Sequence, residues 1–122
     1  MLDLENYHVL VVEDEIMIAL ELRDELLDAG ARVIGPAVSV AEALRLIEQE
    51  KPTAAIVDVE LGSEKSLPVA QRLEAIGVPF ILHTANLTNG LPKGWPRVPV
   101  VKKPASGQAV LSALVAVLPA KP

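Results

Sequence analysis

Four short apolar runs in this 122-residue chain each end in a residue that can do chemistry. Residues 7–12 run into Glu13-Asp14-Glu15, residues 54–57 into Asp58, residues 79–83 into Thr84, and residues 98–101 into Lys102-Lys103-Pro104. If the runs are parallel strands, their carboxyl ends share one edge of a sheet, where ligands of open α/β sheets collect. Two or three carboxylates at one edge raise each other's pKa. A divalent, oxygen-preferring cation relieves that repulsion, and Mg2+ commonly binds one or two carboxylates together with waters and phosphate oxygens. A lysine and a threonine beside it can hold the remaining oxygens of a phosphoryl group. The chemistry implied is phosphoryl transfer to or from an aspartate. Asp58 is the natural acceptor, because a carboxylate directly after Ala-Ala-Ile-Val has little structural reason to stand there. Taken singly, Glu13, Asp14 and Glu15 could simply complement a helix dipole, and Lys103 could be a solvated side chain. Chain order and the shared edge carry the reading.

The elements that must position these residues can be read from periodicity. Residues 7–12 (YHVLVV) are too short for a helix and apolar on both faces, as in a parallel sheet. Over residues 15–29 the spacing becomes helical, with Ile16, Ala19, Leu20, Leu26 and Leu27 on one face and Glu21, Asp24, Glu25 and Asp28 opposite. Residues 32–35 form a second strand closed by Pro36. Ser39 and Glu42 then form a capping box ahead of Leu44, Leu46 and Ile47, with Pro52 as the stop. Residues 54–57 are a third strand, 66–76 a third helix, 79–83 a fourth strand and 98–101 a short fifth strand. Residues 106–118 form a final helix with Val110, Leu111, Leu114, Val115 and Leu118 inward. Alternating strands and helices imply right-handed crossovers and a doubly wound α/β parallel sheet. Residues 86–99 hold Gly90, Pro92, Gly94, Pro96 and Pro99, so the fourth helix is expected to be short or irregular.

Composition narrows the class. Half the residues are hydrophobic (51%), but only Tyr7, Phe80 and Trp95 are aromatic, so the core must be Val, Leu, Ile and Ala. The length fits one domain, 1–122. Without cysteine there is no disulfide, thiolate metal site or Cys nucleophile. No apolar run reaches the length of a membrane span, which with the acidic Asp3 and Glu5 predicts a cytoplasmic chain without membrane contact. Residues 1–60 hold 14 acidic against 4 basic side chains, and residues 61–122 hold 2 against 7. The basic residues are scattered without aromatic partners, a poor footprint for direct nucleic-acid binding. His8 and His83 read as core or edge strand residues rather than metal ligands. Asp58-Val59-Glu60 lacks the second aspartate and the threonine of haloacid-dehalogenase-type phosphatases. No glycine-rich phosphate loop or nucleophile elbow is present.

Val9-Leu10-Val11-Val12-Glu13-Asp14-Glu15, Ala55-Ile56-Val57-Asp58, Ile81-Leu82-His83-Thr84-Ala85 and Val101-Lys102-Lys103-Pro104 resemble, in order, the four motifs of bacterial response-regulator receiver domains. The resemblance covers nearly the whole chain. It implies a flavodoxin-like (βα)5 fold with strand order 2-1-3-4-5, and a phosphoacceptor switch in a two-component or phosphorelay system. Asp58 would take the phosphoryl group from a sensor histidine kinase or phosphotransfer protein. Asp58, Asp14, Glu13 (mainly through water) and the backbone carbonyl of Glu60 would surround Mg2+. Thr84 and Lys103 would bind phosphoryl oxygens, Lys103 rather than Lys102 because it directly precedes the proline, and that Lys-Pro bond is usually cis. Glu60 and Asn86 would tune the phosphoryl lifetime. Such a chain signals by protein contact, as a monomer or a homodimer, and is no turnover enzyme beyond assisting its own phosphorylation and slow dephosphorylation. With no residues left for an output domain, Met1 and the short tail after Leu118 favour a stand-alone regulator over an excised receiver.

Two positions depart from the family. Val100 stands where an aromatic switch residue is usual, and Ala105 replaces the aromatic that usually follows Lys-Pro. With the Gly- and Pro-rich stretch 86–99, they leave open a second reading: a receiver-like interaction or dimerisation module that no longer switches by phosphorylation.

Overall fold

The computed structural model describes residues 2–85, 91 and 93–119. Its strands are β1 (His8–Val12), β2 (Arg32–Ala37), β3 (Ala54–Val57), β4 (Glu60–Leu61), β5 (Glu64–Lys65), β6 (Phe80–Thr84) and β7 (Val100–Lys102). The helices are α1 (Ile16–Asp28), α2 (Val40–Glu50), α3 (Leu67–Ala75) and α4 (Gly107–Val117). Five strands form one parallel sheet in the order β2-β1-β3-β6-β7. Counting the sheet strands alone, this is the expected 2-1-3-4-5.

Strand alternation divides the core in two. Leu10, Val12, Ala55, Val57 and Leu82 face α2 and α3, meeting Ala43, Ile47, Val69 and Leu73. Val9, Val11, Ile56 and Ile81 face the other way, against Leu22 and Leu26 of α1 and Val110, Leu111 and Leu114 of α4. Burial on both faces is why these strands read as continuous apolar runs, and each fully buried aliphatic side chain contributes about 1.5–3 kcal/mol. Ser39 caps α2 by accepting the N–H of Glu42 at 3.1 Å, while Glu42 Oε1 accepts from Val38 N at 2.9 Å, one residue earlier than in a closed capping box. Ser106 caps α4 through Ala109 N at 3.1 Å.

Several local expectations change. β2 is not closed by Pro36 but runs on to Ala37 across an irregularity in its pairing with β1, with the Gly35–Pro36 bond cis. β2 is an edge strand, where a missing N–H costs no sheet hydrogen bond. Gly35 is obligatory there: its φ is +95°, and a Cβ would stand 2.8 Å from Ala37 N and 2.9 Å from Val11 O. On α1 the inward stripe is Ala19, Leu22 and Leu26; Ile16 and Leu27 are exposed at 59% and 52%. At the end of α4, Val115 and Leu118 are only half-buried. β7 starts at Val100, leaving Val98 and Pro99 outside the strand. The antiparallel pair β4–β5 was not expected. Between β6 and β7, the described residues 91 and 93–99 hold no helix, only a turn at 93–94.

Candidate functional site

Backbone hydrogen bonds continue the sheet past its strand ends and bring the chemical residues together. Glu13 N donates to Ala37 O (2.9 Å), Asp58 N to Val12 O (2.9 Å) and Lys103 N to Thr84 O (2.8 Å). Lys102 pairs with Thr84 in the register and is exposed, so alternation turns the next side chain, Lys103, inward. The Lys103–Pro104 bond is cis.

At this edge one ammonium serves three carboxylates. Lys103 Nζ lies 2.9 Å from Glu13 Oε1, 3.0 Å from Asp58 Oδ2 and 3.2 Å from Glu15 Oε1. Burial and the charge of Asp58 push the Glu13 carboxyl up to about 7, against the hydrogen bond from Lys103. Burial alone would lower the pKa of Lys103, but its hydrogen bonds to Glu13 and Asp58 outweigh burial and raise it, so the ammonium stays charged.

The β4–β5 hairpin forms the lip of the site. Glu60 N donates to Asp58 Oδ1 at 3.2 Å, and Gly62 N, in a left-handed turn of φ +61°, donates to Asp14 Oδ2 at 2.8 Å. Behind it, the buried Ser66 hydroxyl donates to the Asp58 carbonyl. That contact explains why Ser66 stands at the start of α3 without capping it through its side chain. The resulting cleft, about 180 Å3, is lined by Asp14, Glu15, Asp58, Glu60, Thr84 and Lys103.

Carboxylate oxygens of Glu13, Asp14 and Asp58 lie within 4.8 Å of one another, the only group with metal-ligand spacing among the described residues. An all-oxygen donor set of this kind suits a hard divalent cation such as Mg2+. Glu60 lines the same cleft. Of the other residues singled out, Val100 is half-buried against the α2/α3 side of the core, as is Trp95, and neither lines the cleft. Asn86 lies outside the described residues. Sequence reasoning missed the contact of Glu15 with Lys103, the hold of Gly62 on Asp14 and the bond of Ser66 to Asp58. The left-handed Gly62, four residues after Asp58, was the one available signal of a turn there.

No protein-family model matches the chain. The transcriptional regulatory protein PdtaR of Mycobacterium tuberculosis is 31% identical over 78 residues, 63% of this chain and 38% of that protein. Among solved structures, the response regulator PhyR from Brucella abortus superposes with a TM-score of 0.81 and 27% identity, over 96% of this chain and 49% of that one. The signal receiver domain of a modulated diguanylate cyclase from Desulfovibrio desulfuricans G20 gives 0.74 and 25%, over 91% of this chain and 92% of that one. The chain thus spans less than half the length of PdtaR and of the PhyR chain. No helix among the described residues is long and apolar enough to cross a membrane.

Proposed function

We propose that this chain, a receiver domain of the response-regulator type, is a phosphoacceptor switch in which Asp58 takes a phosphoryl group from a histidine kinase or phosphotransfer protein. The observation that carries the reading is the buried Asp58 carboxylate held 3.0 Å from Lys103 Nζ, in one cleft with Asp14 and Thr84. An Asp58 carboxylate oxygen attacks the phosphorus of the donor phosphohistidine. The O–P bond forms, the P–N bond breaks, and the departing imidazole takes up a proton. Lys103 and the Thr84 hydroxyl hold phosphoryl oxygens, and Glu60 N–H fixes the attacking carboxylate through Oδ1. Asp14, Asp58 and the Glu60 carbonyl would hold Mg2+, with Glu13 acting mainly through water, and the ion would neutralise phosphoryl charge. Glu60 and Asn86 set the phosphoryl lifetime. The chain, cytoplasmic and one domain over 1–122, reports its state by protein contact.

Intact mass after incubation with a small-molecule phosphodonor and Mg2+ tests this. The expected result is one Mg2+-dependent phosphoadduct, absent from Asp58→Asn. An adduct that persists in Asp58→Asn overturns the acceptor assignment. No adduct from the small-molecule donor or from a phosphohistidine donor overturns the switch itself and leaves the second reading, a receiver-like interaction module, which Val100 favours.

A further inference from the structure

Every carboxylate that lines the acidic cleft is held by a donor, and one of those donors stands outside the cleft. Asp14 takes the Gly62 N–H, while Glu15 and Asp58 take the Lys103 ammonium. Glu60 takes Lys65, with Oε1 2.6 Å from Nζ. The two are register partners across the β4–β5 hairpin, so their side chains stand side by side on one face of the lip. Lys65 does not line the cleft, and its influence there runs through Glu60. The main chain of Glu60 is fixed separately, because its N–H donates to Asp58 Oδ1 at 3.2 Å. Its carboxylate is therefore the part of the lip that Lys65 governs.

Resting on the phosphoacceptor reading of Asp58, we propose that Lys65 is a positioning residue: it prolongs the phosphoryl lifetime by occupying the Glu60 carboxylate. Hydrolysis of the Asp58 acyl phosphate forms a bond from water oxygen to phosphorus and breaks the bond from phosphorus to the Asp58 oxygen. Asp58 leaves as a carboxylate, and the attacking water gives up a proton. Glu60, two residues from Asp58 and lining the same cleft, is placed to accept it as a general base. An ammonium at 2.6 Å opposes this in two ways. It takes up an acceptor lone pair of Glu60, and its positive charge disfavours protonation of that carboxylate. While the pair is closed, the proton goes to a phosphoryl oxygen instead. Without Lys65 it passes to Glu60 and on to solvent, leaving inorganic phosphate and the free Asp58 carboxylate. The side chains of Lys65 and Glu60 are 62% and 36% exposed, so the pair is a weak one and its hold is a matter of a few-fold.

The test follows the Mg2+-dependent phosphoadduct by intact mass over time, in the full chain, after the small-molecule phosphodonor has been removed. Lys65→Met should shorten the adduct lifetime about twofold to fivefold, the range that a surface ion pair commands. Lys65→Arg, which restores a cation, should return the lifetime to the wild-type value. In a Glu60→Gln background, Lys65→Met should change nothing, because the proton acceptor is already gone. An unchanged or longer lifetime in Lys65→Met overturns the proposal. So does an equal shortening in the Glu60→Gln background, which would make the effect one of the lysine charge alone. If no adduct forms in the wild type, the phosphoacceptor reading falls and this inference with it, whereas an adduct indifferent to Lys65 overturns the inference alone.

Discussion

Lys103 Nζ lies 2.9 Å from Glu13 Oε1, with side-chain exposures of only 8% and 2%, so a buried ion pair joins the ends of β1 and β7 across the sheet. Asp58 Oδ2 shares the same ammonium at 3.0 Å. One cation between two buried carboxylates makes substitutions on the two sides differ in sign. Lys103→Met leaves the acids uncompensated and should cost about 3–5 kcal/mol of folding stability. Asp58→Asn removes one repelling charge and should raise stability by about 1 kcal/mol. Chemical denaturation without Mg2+ checks both, and a loss of stability in Asp58→Asn would contradict the charge argument.

Glu15 reaches the same lysine at 3.2 Å but is 60% exposed, so its pairing adds little to stability. It also lines the cleft that an anionic phosphoryl donor must enter. Glu15→Gln should therefore change stability by less than about 0.5 kcal/mol while speeding adduct formation by an anionic small-molecule donor about threefold to tenfold at low salt. Stopped-flow rates at two ionic strengths measure this. The gain should shrink at the higher one.

Buried His83 makes stability pH-dependent in a definite direction. Burial and Lys103 lower its folded-state pKa, against the opposing charges of Asp58, Glu15 and Glu21. The unfolded chain therefore takes up the proton first, and the stability contributed by the neutral ring is complete above about pH 6.5 and lost as pH falls below it. Glu13 acts oppositely: with its pKa raised from 4.5 to about 7, its contribution is present at acid pH and lost as pH rises through that interval. Comparing wild type with His83→Phe cancels Glu13. The wild-type advantage should fall on acidification from pH 6.5 by at most about 1.4 kcal/mol per pH unit. A flat difference would show that burial does not hold the ring neutral.

Gly35→Ala should cost about 2–4 kcal/mol, because the new Cβ meets backbone atoms at 2.8 and 2.9 Å and φ is +95°. The damage should reach the site, since the Ala37 carbonyl accepts the N–H of Glu13. A lowered denaturation midpoint together with slower phosphoadduct formation is the expected pair of results.

The fold was readable wherever burial on both faces left unbroken apolar runs, as at Val9–Val12 and Ala54–Val57, and the cleft was readable because each run ended on a polar residue. What escaped had no periodic signal. β4 and β5 have two residues each, too few for alternation to show. Pro36 read as a stop because its lack of an N–H is harmless only on an edge strand, and which strand lies at the edge is a property of the assembled sheet. Ser66 read correctly as the start of α3, but its bond to the Asp58 carbonyl escaped because it depends on three-dimensional proximity. Ile16 and Leu27 were misplaced because α1 presents a stripe spaced as Ala19, Leu22 and Leu26, and apolar residues flanking that stripe fall in solvent.

The register of β7 is the one frame that side-chain type leaves undefined. Val100-Val101-Lys102-Lys103 reads almost the same when displaced so that Lys102 takes the place of Lys103: a valine still faces each half of the core and a lysine still enters the cleft. A displaced strand would therefore bury the same chemistry at nearly the same enthalpy, unlike the other strands, where a slip exchanges unlike side chains. Donor supply closes off the opposite displacement. Thr84 O accepts the N–H of Lys103, and a shift bringing the next residue to that carbonyl would present Pro104, which has no proton to give. The proline after the lysine thus acts as an end stop for the edge strand, blocking the slip that would carry Lys103 past Asp58.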